Sequence, residues 1–150
     1  MTASNRPAIA LQIAARGSGL PSAAQVRRWT KTALPRAAEV TIRIVGTAEA
    51  RRLNRAYRRR DYATNVLSFS YESKRALLRG DIVLCAPVVR SEARSQGKPL
   101  EAHFAHLIVH GALHLRGYDH ERPREAVRME ALEKRLLAKL GYPDPYMTSG

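Results

Sequence analysis

The stretch His110-Gly111-Ala112-Leu113-His114-Leu115-Arg116-Gly117-Tyr118-Asp119-His120 decides how the rest of the chain is read. His110 and His114 stand four apart, so on a helix they share one face and can aim both imidazoles at a single ion. A third ligand from the same helix would strain that geometry. Gly117 lets the chain turn, because glycine reaches positive φ at little cost, and His120 is expected to come back toward the first two. Three imidazoles and one open position make the arrangement of a catalytic zinc site, with Zn–N distances of about 2.0–2.1 Å. From Phe104 to Leu115 only the histidines are strongly polar, which predicts a largely buried core helix over Pro99 to Leu115. His106 and His110 are also four apart, and spacing alone permits that pair instead. The Gly117 turn and His120 favour His110 and His114. His106 then supports a ligand, lines a cleft or simply packs. His103 is expected nearer the surface, with no role.

The spacing H-x-x-x-H-x-x-G-x-x-H resembles that of the metzincin peptidases, which carry Glu after the first His as general base. Gly111 stands in that place here, so the chain has the metal scaffold without the peptidase base. The surrounding residues sharpen the comparison. His-Gly-x-Leu-His-Leu-x-Gly-Tyr-Asp-His resembles the signature of the YbeY family, bacterial metal-dependent endoribonucleases of ribosomal RNA maturation. Leu53-Asn54, Tyr57-Arg58, Asp61, the run Thr64 to Phe69, the run Gly80 to Val83 and Asp144-Pro145-Tyr146 match it in type and order. The signature is specific, and the flanking blocks are individually weaker. Beside Arg58 the chain departs from the pattern. The family commonly has Gly-Lys-Asp and Pro-Thr-Asn where Arg59-Arg60-Asp61 and Ala63-Thr64-Asn65 stand here. The resemblance implies that Arg58 matches a functionally essential arginine. It also implies maturation of the 3′ end of small-subunit (16S) ribosomal RNA and removal of defective ribosomes, with the small ribosomal subunit and its assembly factors as partners.

Composition points to the same class of partner. Across 150 residues, 26 Lys and Arg oppose 13 Asp and Glu, for a formal charge of +13 and a pI near 10.8. An excess of this size favours a polyanion, nucleic acid before membrane, and arginine suits bidentate phosphate contacts. Arg51, Arg55 and Arg58 fall on one face of a predicted helix ending near Tyr57, with Arg52, Arg59 and Arg60 beside them. Such a cluster is either a solvated face or the seat of something anionic, so Arg51, Arg55 and Arg58 are candidate RNA contacts. A single cysteine, Cys85, excludes an intramolecular disulfide framework. No apolar run approaches the roughly 18 residues of a membrane span. Met1 to Pro7 lacks the order of a signal peptide, and a cytoplasmic location is expected.

Periodicity supplies the frame. Ile9, Leu11 and Ile13 alternate with small or polar residues, as do Val40, Ile42 and Ile44, and both stretches predict strands. A helix to Leu34 is expected between them, with Val26, Trp29 and Ala33 inward. Thr47 is the expected N-cap of the next helix, with Ala50, Leu53 and Tyr57 inward. Asn65 to Tyr71 has strand composition. Asp81 to Ala86 reads as a central strand covered on both faces, Glu72 to Arg79 being a charged connector. Pro87 opens a helix that Gly97 ends. Pro123 opens another, with Val127, Leu132, Leu136 and Leu140 inward. The order predicts one α+β domain over residues 1–150, a four-stranded mixed sheet packed with helices, carrying a zincin-like three-His site on a buried helix and the turn after it.

The function expected is a single-strand-specific, zinc-dependent endoribonuclease holding one ion per chain on His110, His114 and His120, with Arg58 and His110 as catalytic residues. The ion would acidify a water and polarise the phosphoryl oxygen; Arg58 would neutralise transition-state charge on the phosphate. Zinc hydroxide acting unaided, a contribution from Asp119 and a contribution from the RNA 2′-hydroxyl all stay open. Two alternatives are a zinc hydrolase of peptides, which Gly111 disfavours, and a ribosome-associated binding factor with a structural zinc. Structural sites are usually closed and rich in cysteine, unlike this one.

Overall fold

The computed structural model describes residues 7–35, 37–71, 77–119 and 121–147. In chain order the elements are β1 (Ala8–Ile13), α1 (Ala23–Ala33), β2 (Ala38–Val45), α2 (Thr47–Arg58), β3 (Val66–Tyr71), β4 (Leu78–Cys85), α3 (Ala86–Gln96), α4 (Leu100–Leu115) and α5 (Pro123–Leu140). The four strands form one mixed sheet in the order β1-β2-β4-β3. β1 and β2 run parallel, as do β2 and β4, whereas β3 lies antiparallel to β4 on the edge. An α+β chain with a four-stranded mixed sheet was the fold class read from the sequence, and the element order agrees with it. Part of the Glu72 to Arg79 connector lies outside the described residues, and β4 starts earlier than the apolar run, at Leu78.

Alternation in the central strands builds a core on each face of the sheet. Ile42, Ile44, Ile82 and Leu84 pack with Trp29 of α1, Phe104, Ile108 and Leu113 of α4, and Met129 and Leu137 of α5. Val45, Leu67, Val83 and Cys85 point the other way, into a smaller core with Ala50 and Leu53 of α2. β4 is therefore covered on both faces, as its near-continuous apolar run predicts.

Local chemistry fixes the ends of the helices. Ser22 caps α1 in a reciprocal capping box with Gln25. The predicted cap at Thr47 is corrected: the helix starts at Thr47, and Gly46 is its N-cap without a side-chain bond. Arg59 ends α2 in the left-handed conformation at φ 57°. A glycine would hold that conformation at lower cost, and Arg59 adopts it here without one. Asn54, 2 % exposed, donates its side-chain amide to the Tyr62 carbonyl at 2.8 Å and pins the loop that follows.

Two inward stripes differ from the sequence reading. Tyr57, expected inward, is 65 % exposed, because it lies a turn beyond the end of the small core and rests edge-on against Phe69. On α5 the buried stripe is Met129, Glu133, Leu137 and Leu140, while Leu132 and Leu136 are half-buried and Val127 is 66 % exposed. Val127 falls off the i, i+4 line of the others.

Candidate metal centre and nucleic-acid cleft

α4 lies across the sheet and carries His103, His106, His110 and His114 along its length. It is seated by a glycine. A Cβ on Gly111 would come within 2.9 Å of Ile82 Cγ2 and 3.1 Å of Ser68 Oγ. The Ser68 hydroxyl meanwhile donates to the Gly111 carbonyl at 3.2 Å. Helix and sheet meet at this point, and no side chain fits between them. The position where a peptidase carries its glutamate is therefore a packing contact here.

His110 and His114 bring their Nε2 atoms to 3.0 Å from each other. Two nitrogens bound to one tetrahedral zinc stand roughly 3.3–3.4 Å apart, given Zn–N of about 2.0–2.1 Å, so a small opening would fit this pair to an ion. The other side of the His110 ring is fixed by Glu133, whose Oε1 lies 2.6 Å from His110 Nδ1. Glu133 is fully buried. Burial pushes its carboxyl up, but hydrogen bonds from His106 and His110 outweigh that and bring it down to about 2. The ionised carboxylate selects the His110 tautomer with the proton on Nδ1, leaving the Nε2 lone pair for a cation. A buried carboxylate behind a histidine ligand is a recurring support of zinc sites.

Glu133 accepts two further bonds at its other oxygen, from His106 Nε2 at 2.7 Å and from the Tyr146 hydroxyl at 2.5 Å. Burial, then the bond to Glu133, pushes the Tyr146 phenol up, so it stays protonated and donates. His106, His110 and Glu133 together bring three ligand atoms within 4.8 Å of one another, a group that could itself hold a metal ion. The carboxylate there is already taken up by three donors, whereas His110 Nε2 faces His114 and the open cleft. The donor set thus fits a cation best on the Nε2 side. His120, the third predicted ligand, lies outside the described residues.

His103 is corrected. It is 4 % exposed rather than near the surface, and its Nε2 lies 3.0 Å from Glu92 Oε1, because α3 packs over that turn of α4. Burial pulls its pKa down against the pull of Glu92. Glu92 also receives the Asn65 side-chain amide at 3.0 Å, which ties the start of β3 to the same cluster.

Arg58, His110 and His114 line one cleft of about 800 Å³, together with Asn65, Ser68 and Asp119. Arg58 reaches it over the outer edge of β3, donating to the Ser68 carbonyl at 3.0 Å with its guanidinium 5.9 Å from the Phe69 ring. Arg55 is exposed on the same helix. Arg51 is bound bidentately by Asp61 at 2.8 and 3.0 Å. The loop after α2 thus supplies an acid to a cluster that has none between Arg51 and Arg60.

A family model described as endoribonuclease YbeY matches residues 21–141. This chain belongs to that family. It is 61 % identical over 149 residues to the endoribonuclease YbeY of Aromatoleum aromaticum, covering 97 % of this chain and 96 % of the relative. The endoribonuclease YbeY of Thiobacillus denitrificans is 55 % identical over 139 residues, covering 92 % and 95 %. The fold is similar to the solution structure of TM1509 from Thermotoga maritima, with a TM-score of 0.53 over 91 % of this chain and 99 % of that one, at 23 % identity. Among the described residues, no helix is long and apolar enough to cross a membrane.

Glu133 and Tyr146 are the site residues that spacing rules did not single out. A glutamate between Met129 and Leu137 on the buried line of α5 was the available signal, since an acid in an apolar stripe needs a partner.

Proposed function

We propose that the chain is a zinc-dependent endoribonuclease of single-stranded RNA, acting as one domain. The substrate proposed is the 3′ end of small-subunit (16S) ribosomal RNA, and the same activity would serve ribosome quality control in the cytoplasm. The observation that carries this reading is the convergence of Arg58 with the His110–His114 Nε2 pair in one cleft. The family relationship supports the reaction class, and the charge of +13 supports a polyanionic substrate. The small ribosomal subunit and its assembly factors are the proposed partners.

His110, His114 and His120 would hold the ion, which supplies Lewis acidity toward a phosphoryl oxygen and lowers the pKa of water. Glu133 keeps His110 in the ligating tautomer, and Tyr146 and His106 keep Glu133 in place. Arg58 offers a guanidinium to the non-bridging phosphate oxygens, where negative charge grows in the transition state. Arg51 and Arg55 add field along the approach to the cleft. Asp119 lies in the same cleft and is the candidate to move a proton, with the RNA 2′-hydroxyl as another contributor.

Metal analysis of untagged protein, followed by RNA cleavage on the same sample with and without chelator, tests the proposal. About one zinc per chain is expected, with cleavage lost to the chelator. His114→Ala should lose most of the metal; full retention in that variant would sink the ligand assignment. Cleavage of casein with RNA untouched would move the protein to the peptidases.

A further inference from the structure

A second cavity lies behind the edge strand. β3 pairs only with β4 among the described residues, and its side chains alternate across the sheet. Ser68 and Ser70 face the histidine cleft. Leu67, Phe69 and Tyr71 face the side of α2. On that side a cavity of about 600 Å³ opens between β3, β4 and the end of α2, a size within the range that takes small ligands. Arg58, Ser68 and Ser70 line both this cavity and the cleft. The edge of β3 is thus a low wall between them, and Arg58 lies across it.

The chemistry of the second cavity differs from that of the cleft. Three aromatic rings stand around it: Tyr57 at 65 % and Tyr71 at 51 % exposure, with Phe69 half-buried between them. Tyr57 and Phe69 rings are 5.1 Å apart and steeply inclined. The Tyr71 hydroxyl donates to Asp81 at 2.5 Å, which holds that ring. Arg43 donates to both oxygens of Glu49 at 2.5 and 2.8 Å. Arg43 and Arg58 are equalled in number by Glu49 and Asp81, so the lining carries no net formal charge. A phosphate gains little from such a lining. A flat, uncharged aromatic with hydrogen-bonding edges gains stacking area and partners.

We propose that this cavity seats one unpaired nucleobase of the RNA, adjacent to the phosphate held at Arg58. The strand would cross the β3 edge with its phosphate on the cleft side and that base stacked against Tyr57 and Tyr71. This deepens the endoribonuclease reading and rests on it. It also gives a physical reason for a preference for single strands, because a base held in a duplex cannot turn over the edge into the cavity.

The test is an abasic scan. Single-stranded RNA oligonucleotides, each lacking one base near the cleavage position, are bound to zinc-loaded protein and followed by fluorescence anisotropy. One abasic position should weaken binding to wild type at least about fivefold, the lower end of what one base–aromatic stack contributes. Tyr57→Ala should weaken binding of intact RNA to the same degree, and that abasic position should then cost nothing more. Tyr57→Phe, which keeps the ring, should behave as wild type. The exposure of Tyr57 means that truncation leaves the fold in place. An identical abasic profile in Tyr57→Ala, or a loss in kcat with KM unchanged, overturns the base seat while leaving the endoribonuclease reading standing. No RNA binding by wild type at low salt overturns both.

Discussion

At the scale of single residues, Arg58 and its neighbours make a controlled comparison. All of Arg58, Arg59 and Arg60 are exposed, but Arg58 alone donates to the β3 edge. An arginine that only adds field tolerates lysine; one that grips phosphate with both arms does not. Arg58→Lys is therefore expected to slow RNA cleavage at least about tenfold, equivalent to roughly 1.4 kcal/mol of transition-state stabilisation. RNA affinity and zinc content should stay near wild type, and Arg59→Lys and Arg60→Lys should cleave normally. Equal behaviour of the three variants in a cleavage assay would reduce Arg58 to one charge among many. Gly111 is the second residue-scale case. Its missing Cβ is occupied by Ile82 and Ser68, so Gly111→Ala is expected to cost about 1–3 kcal/mol by overpacking. Denaturant unfolding measures this directly, and a neutral result would mean that α4 can lift off the sheet freely.

Among the elements, α5 does more than cover the core. It carries Glu133 to the back of His110. Glu133→Gln keeps the shape but loses the charge that selects the tautomer, and a supporting carboxylate of this kind is worth about 10–100-fold in metal affinity. Competition with a chelator of known affinity should show that loss in the variant, and unchanged affinity would assign Glu133 to packing alone. How much of this was legible in the sequence differs by element. α4 could be read as a buried helix because its apolar run and its histidines are local signals at fixed offsets. Strands β1, β2 and β4 could be read because alternation, or its absence in β4, reports which faces are covered. The role of α5 could not, because one glutamate among charged residues looks solvated until the helix phase is known, and an inward Val127 puts that phase wrong. The Arg51–Asp61 pair was hidden for a related reason: the acid arrives from the loop, ten residues along the chain. His103 looked exposed because its cover, Glu92, comes from a different helix.

For the whole molecule, the charge of +13 predicts RNA binding that weakens steeply with salt, since each phosphate neutralised releases counterions. Arg55→Gln should reduce the slope of log affinity against log salt by about 1. Arg51→Gln should reduce it by less, because Asp61 already offsets that charge. Titrations at several salt concentrations check both, and an unchanged slope in the double variant would make this face a solvated one. Another consequence belongs to the order of the site residues. The imidazoles of α4 precede Glu133 along the chain, and Glu133 precedes Tyr146, which holds it by its hydroxyl. A chain cut short before α5 would keep the histidines and lose the groups that set their tautomers, and it is expected to hold a metal more weakly than the full chain.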